Sequence, residues 1–544
     1  MKGATIKRFT SLHTWTGITT GVLLFVAFYA GALTVYKAEI DAWANPVVHA
    51  ELEAERTERL FTPQQAVEAF INSPHFTPDF YLFSSRYRTH LPDGGETPGR
   101  YAIYWSERVD GERVGWDVFE PGGQPIQSNA ATTSQAANFI ELLHFTMGLP
   151  ETFGTYLFGA VTLLYGVALL SGLVIHLPHL VKDLFSMRIG SNLKLFWQDA
   201  HNVIGVLSLP FHLMFVVTSL VLALTLVAIL GTSFFTLGNQ FPTDRIGELY
   251  EVAPHPAASD TPADMLDVPT LFARVKEIQP DFTVSSIHWH GYGTATAAAE
   301  ISGDYPDSLI SSADIQLDAS TGALQGANLP GAHNPALAAS GVVVSLHFAR
   351  FGEGLGRQLV RLSYLLLGLL GAFLFYSGNL LWIETRRKRR NTQQPHLHHA
   401  LARLTVAGCL GTVLGISLLL LTAKLLPAES LLRAAWVPNA WYLGLAASAA
   451  WVLLRPVWRG TVEVLWACAV ITAAVPIANA IIYMPPWQSA LIAPGVFGVD
   501  LVALLLAIGF ALTARAAARR AHNGQPNSVW ADTPRLATHE GASL

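Results

Sequence analysis

The stretch Leu12-His13-Thr14-Trp15-Thr16-Gly17, which runs on without a charge from Ile18 to Val35, decides the fold. An apolar run of that length crosses a bilayer. The chain writes the same opening again. Ala200-His201-Asn202-Val203-Ile204-Gly205 keeps histidine and glycine at the same spacing, and a second long apolar run follows. The approach to the next run also recurs, as Leu143-His144-Phe145 and as Leu346-His347-Phe348. Each leads through a glycine-rich link into an apolar helix closing on Ser171-Gly172 or Ser377-Gly378.

Outward from this repeat, eight runs can span a membrane, near 12–36, 153–177, 201–231, 358–383, 401–424, 440–455, 462–484 and 495–514. The sixth is short. Hydrophobic residues make up 51% of the 544 and charged ones only 13%. An ordinary soluble protein carries about a quarter of its residues charged, so this balance excludes a disordered chain, a soluble enzyme and a nucleic-acid binder. The fold class expected is a polytopic α-helical membrane protein. The basic N-terminus precedes a long run with no cleavage site, which reads as a retained first span rather than a signal peptide.

Basic residues set the orientation. Lys2, Lys7 and Arg8 precede span one, Lys182, Arg188 and Lys194 follow span two, and Arg386 to Arg390 follow span four. Arg455, Arg459, Arg515, Arg519 and Arg520 fall on the same side. That side is expected to be the cytoplasm, with both termini in it. The division is span one to residue 36, an outer domain at 37–152, span two at 153–177, a cytoplasmic loop at 178–200 and span three at 201–231. A second outer domain at 232–357 and span four at 358–383 complete the repeat. A basic cytoplasmic loop at 384–400, a four-helix region at 401–514 and a cytoplasmic tail at 515–544 follow.

The outer segments echo each other. Thr62 to Ile71 and Pro269 to Ile278 read as short amphipathic helices. Trp116 to Gly123 and Ile315 to Gly322 each read as strand, tight glycine turn, strand. The unit is therefore helix, small α+β domain, helix, present twice. The last four spans stand outside it.

These motifs carry a resemblance. Leu12-His13-x-Trp15-x-Gly17, Glu39-Ile40-Asp41-x-Trp43, the His201 opening with Leu209-Pro210-Phe211-His212, and Leu346-His347-Phe348 make residues 1 to about 390 similar to the PepSY-associated transmembrane-helix family of bacterial inner membranes. The resemblance implies PepSY-like periplasmic domains. It also implies, as one activity within the family, a haem-containing reductase that releases iron from siderophores.

Six of the 19 histidines lie in or beside spans one to four: His13, His144, His176, His201, His212 and His347. A lone histidine in a helix bundle is usually a hydrogen-bonding group. The repeat changes that reading, because His13 pairs with His201 near one membrane face and His144 with His347 near the other. Two facing imidazoles hold a six-coordinate b-type haem. Cys409 and Cys468, the only two cysteines, cannot provide c-type attachment or an iron–sulfur site. Two haems b are expected, with His13, His144, His201 and His347 as first-choice ligands. His212 and His176 remain alternatives, each able to replace one member. His201 and His212 lie eleven residues apart, which on a straight helix returns to one face about 16 Å along.

Other candidates are weaker. Phe145, Trp15, Phe211 and Phe348 could line a haem, and Arg350 and Arg357 could pair with its propionates. Gly17, Gly21 and Gly205 would permit close approach, of a macrocycle or of another helix. Glu39 and Asp41 read as interfacial anchors, with Trp43 in the aromatic belt. His288-Trp289-His290 puts two histidines on one strand face. Such a face can hold a transition metal, although a solvated face is the favoured reading. His396, His398 and His399 read as a surface loop near anionic lipid.

No nicotinamide, flavin or P-loop fingerprint occurs. A reductase of this kind would take electrons from quinol or a flavoprotein and, by family resemblance, pass them to a ferric siderophore or another periplasmic iron(III) complex. A non-enzymatic peptide-binding or regulatory module and a transporter are the competing readings.

Overall fold

The computed structural model describes residues 3–45, 60–84, 91, 94–99, 101–109, 112–118, 121–127, 134–179, 192–236, 252–253, 259–305, 309–310, 312–329, 331, 335–387, 394–427, 430, 432–483, 494–524 and 527–532. Lys182, Arg188, Lys388 to Arg390 and the tail from residue 533 lie outside them.

A helix that is apolar all round is either buried or lipid-facing. The described residues hold seven such helices long enough to span a bilayer. They are α1 (Gly3–Thr34), α5 (Glu151–His176), α10 (Gly354–Thr385), α11 (His396–Leu425), α12 (Arg433–Leu454), α13 (Val457–Ile482) and α14 (Pro494–Asn523). An eighth is a bent pair, α6 (Leu193–Leu207) and α7 (Leu209–Thr236), which meet at Ser208 with a 66° bend. The chain is thus a multi-pass membrane protein.

The bend corrects one sequence expectation. His201 and His212 do not share a face of one straight helix, because the break falls between them. Pro210 is the physical cause, since it lacks the N–H that would continue the ladder. The expected basic loop at 384–400 is also shorter. Pro395 precedes α11, which begins at His396, so His396, His398 and His399 are helical. His398 is buried, its ring 5.6 Å from that of Trp382.

The segments between the spans fold as helix and sheet. After α1 come α2 (Lys37–Ala44), α3 (Pro63–Ile71), β1 (Phe80–Ser84), β2 (Tyr101–Val109), β3 (Glu112–Val118) and β4 (Ile126–Gln127). Helix α4 (Gln135–Thr146) then leads into α5. After α7 come α8 (Val268–Ile278), β5 (Thr283–His290), β6 (Ala298–Asp304), β7 (Ser312–Asp318), β8 (Leu324–Asn328) and α9 (Pro335–His347), which leads into α10. Helix α3 starts at a capping box of Thr62 and Gln65, and α8 at an Asp267 cap followed by proline, both strong start signals.

A separate small sheet was expected in each outer segment. Instead one antiparallel sheet of eight strands runs β4-β3-β2-β1-β5-β6-β7-β8. Strands β1 and β5, each otherwise an open edge, pair with Tyr81 opposite His288 and Leu82 opposite Ile287. Joining them satisfies two rows of backbone groups that would otherwise invite foreign strands. One face, with Phe80, Leu82, Ile287, Trp289, Ile301 and Ile315, packs under α3 and α8. Burying each such side chain stabilises by roughly 1.5–3 kcal/mol. The β7–β8 turn is held by Asp318, whose carboxylate accepts from Ser320 N at 3.0 Å, Ser320 Oγ at 2.7 Å and Thr321 N at 2.8 Å. Burial pushes this carboxyl up, but those hydrogen bonds outweigh it and hold it below the ordinary carboxylate range.

Candidate functional site

Helix α1 runs along α5 and α10, and α7 packs against α5 and α9. This arrangement brings the six singled-out histidines to two cavities between the helices. The first is lined by His144 and His347 with Phe28, Phe211, Phe348 and Tyr364 among its walls. The second is lined by His13, His176, His201 and His212.

The rings meet in pairs. His13 and His201 have ring centroids 6.2 Å apart, at 72° between planes. His144 and His347 stand 5.9 Å apart. In every case Nδ1 is engaged by the protein. His13 Nδ1 lies 2.8 Å from Ala168 O, His144 Nδ1 2.8 Å from Ala27 O, His201 Nδ1 3.2 Å from Leu374 O, and His347 Nδ1 3.0 Å from Thr218 Oγ1. Among the described residues, no hydrogen bond reaches Nε2 of these four rings.

Small residues let the rings in. A Cβ on Gly172 would stand 2.9 Å from the His13 ring, one on Gly31 2.6 Å from His144, and one on Gly378 3.3 Å from His201. The two Ser-Gly pairs therefore do similar things. Ser171 Oγ donates to Ala168 O and Ser377 Oγ to Leu374 O, the carbonyls that also face His13 and His201. Sharp turns close the helices that carry the other pair. Met147, just after α4, and Ala349, just after α9, are the non-glycine residues with positive φ among the described ones, at 56° and 54°. Such a conformation costs an L-residue on the order of 1 kcal/mol, and it clusters where a site over-determines the backbone.

His212 is a further imidazole in the second cavity, beside His13, His201 and His176. Its Nδ1 lies 2.6 Å from the Tyr165 hydroxyl, while its Nε2 is buried without a partner. Tyr165 itself lines the first cavity. The Phe28 ring lies 5.4 Å from His212 and 6.1 Å from Phe215, which lines the first cavity. Tyr165 and Phe28 thus fill the space between the two cavities.

Other expected residues fall elsewhere. Phe211 and Phe348 line the first cavity, but Trp15 is 62% exposed and Phe145 is outside both linings. Arg357 lies 3.9 Å from Asp304, and the Arg350 guanidinium sits over the Phe348 ring. Gly17 has open space around its Cα, Gly21 packs on Asn379 and Gly205 on Leu374. Trp43 is corrected outright. It is fully buried rather than interfacial, and its Nε1 donates to Asp500 at 2.8 Å. Glu39 accepts from Arg361 at 2.6 Å, and Asp41 accepts from Ser134 N. Arg361, Tyr165, Thr218 and Phe28 carry no motif and were missed.

A family model for the PepSY-associated TM region matches residues 10–385. The chain belongs to that family. The match ends at the last residue of α10, so the four spans α11 to α14 follow the matched region. The chain is also 31% identical over 382 residues to the uncharacterized protein PA4219 of Pseudomonas aeruginosa, covering 66% of this chain and 91% of that one.

Proposed function

We propose that this PepSY-associated membrane protein carries two b-type haems, one at each imidazole pair, and moves electrons across the bacterial inner membrane to a periplasmic iron(III) complex, with a ferric siderophore as the acceptor. The observation that carries this reading is the double pairing of imidazoles whose Nδ1 atoms are already engaged. Metal-ligating histidines almost always give their other ring nitrogen to a carbonyl or similar group, which fixes tautomer and orientation. Two metal–imidazole bonds of about 2 Å on one axis put ring centroids about 6 Å apart. The observed 6.2 and 5.9 Å suit that spacing.

A bound haem supplies the one-electron chemistry. This chain's residues do the rest. His13 with His201 and His144 with His347 would hold the iron through Nε2, and the carbonyls of Ala168, Leu374 and Ala27 with the Thr218 hydroxyl hold the rings. Phe211, Phe348, Phe215 and Tyr364 line the first cavity, and an apolar wall raises the cost of leaving a charge there. Hard oxygen ligands hold iron(III) better than iron(II), so one electron loosens the bound metal. The donor is quinol or a flavoprotein, since the chain has no flavin or nicotinamide fingerprint. In this reading the sheet faces the periplasm, and both termini lie in the cytoplasm.

The dithionite-reduced minus oxidised spectrum of purified protein tests it. Two bis-histidine b-type centres are expected, one lost on replacing His13 or His201 and the other on replacing His144 or His347. Folded protein from haem-replete cells with no Soret band would sink the reading and leave a peptide-binding or regulatory module in its place.

A further inference from the structure

The face of the sheet opposite α3 and α8 carries a second constellation, independent of the haem reading. On β5, His288 and His290 point the same way, and pairing with β6 puts Glu300 directly across from His288. Glu300 Oε2 lies 3.9 Å from His288 Nδ1 and 3.5 Å from His290 Nε2. The three donor atoms all fall within 4.8 Å of one another. A tetrahedral ion with bonds of about 2.1 Å has its donors about 3.4 Å apart. The two carboxylate–imidazole distances therefore lie within about half an ångström of that spacing, and the third pair of donors stands no more than 4.8 Å apart.

The surroundings have the form of a built site. Asp79, just before β1, sits 3.6 Å from His290 Nδ1, so the carboxylate faces one ring nitrogen while Glu300 faces the other. That is the carboxylate–histidine–metal order, in which the outer carboxylate aims the ring. Tyr81 on β1 stacks on His288 with centroids 3.6 Å apart and 12° between planes, which fixes that ring too. The three ligating side chains are 16%, 21% and 24% exposed, enough for an ion to enter from solvent.

We propose that His288, His290 and Glu300 bind a divalent first-row transition-metal ion on the outer sheet, with Asp79 as the positioning residue behind His290. Two imidazoles and one carboxylate on one side of the ion suit zinc or iron(II) and leave the remaining positions open to water or a ligand. Calcium and magnesium, which need several oxygens, do not suit this donor set.

The experiment uses the full chain in detergent without a histidine tag. Zn2+ is titrated calorimetrically, and the zinc K-edge X-ray absorption of the complex is recorded. Zinc is used so that haem iron does not enter the readout. One saturable equivalent is expected, with two imidazoles in its coordination shell. The double variant His288→Ala/His290→Ala should weaken that site about a hundred-fold or more, and Asp79→Asn should weaken it roughly 10–100-fold. Should the double variant fail to fold, Glu300→Gln and Asp79→Asn decide, since neither changes side-chain volume. No saturable zinc with two imidazoles in the wild type, or equal affinity in the wild type and the folded variants, overturns the proposal. A missing Soret band in the same preparation would bear on the haem reading alone.

Discussion

Replacing Gly31 with alanine tests the first cavity through a single methyl group. Its Cβ would stand 2.6 Å from His144 Nδ1 and 2.7 Å from Cε1. Carbon atoms at ease sit about 3.5–4.0 Å from their neighbours, so the ring must retreat by about 1 Å. His144 cannot retreat and keep its 2.8 Å bond to Ala27 O. Overpacking costs about 1–3 kcal/mol and the lost hydrogen bond about 1 more, giving about 2–4 kcal/mol of destabilisation. The 5.9 Å separation from His347 also changes, and a metal–nitrogen bond does not stretch by an ångström. On the proposed haem reading, Gly31→Ala should therefore lose one b-type centre from the reduced-minus-oxidised spectrum and keep the one proposed at His13 and His201. Gly17→Ala is the control, because nothing lies within 4 Å of its Cβ, and its stability should stay within about 0.5 kcal/mol of wild type. Gly31→Ala protein with both centres intact and the melting temperature of the control would refute the packing argument.

Four further outcomes are expected. Glu277→Cys on α8 should react with a membrane-impermeant maleimide in intact spheroplasts and Arg519→Cys on α14 only after lysis; the reverse pattern overturns the orientation. Asp500→Ala removes the acceptor of Trp43 Nε1 and of Asn479 Nδ2, and chemical denaturation should show a loss of about 1–3 kcal/mol, the cost of leaving buried donors without an acceptor. Asp318 has a depressed carboxyl, so its contribution is present above the ordinary carboxylate range and lost as pH falls through its folded value; the fall in melting temperature between pH 6 and pH 3 should be smaller in Asp318→Asn than in wild type. Tyr165→Phe deletes the hydroxyl on His212 Nδ1 without changing shape and, on the proposed haem reading, should shift the potential of the second-cavity centre while leaving both haem bands in place.

What could be read from the sequence is what leaves a period or a repeat. The spans are uninterrupted apolar runs, and α3 and α8 announce themselves through capping residues. The pairing of His13 with His201 and of His144 with His347 follows from their recurrence at equivalent places, and the structure does bring each pair together. The features that were missed leave no such trace. Whether the helix through His201 and His212 is straight depends on one proline ladder break, and periodicity does not register it. The Ala168, Leu374 and Ala27 contacts use backbone carbonyls, which every residue carries. The edge-to-edge joining of β1 with β5 is a pairing between strands two hundred residues apart. Trp43 reads as interfacial from its position after a span, and only its contact with α14 buries it.

The four spans beyond the family match have a physical task that the contacts make explicit. Lys424 on α11 donates to Trp43 O and lies over the Trp43 ring, while Arg433 on α12 donates to Ala44 O at 2.8 Å. Asp500 on α14 takes the Trp43 indole N–H. Tyr442 on α12 donates to Gly148 O, and the Phe139 ring of α4 packs at 5.9 Å from Trp441 and 5.6 Å from Tyr442. Every one of these contacts grips α2, α4 or the turn after α4, the part of the first half that positions His144. Its counterpart α9, which carries His347, packs chiefly on α7 instead. The two halves use like motifs but are held differently: α4, with His144 on Ala27 O of α1, packs on α1 and α2 and also on the appended bundle, whereas α9 stays within its own repeat. A disturbance in α11 to α14 should therefore reach the first cavity through His144 before it reaches His13 and His201, whose contacts with Ala168 and Leu374 lie wholly within the first four spans.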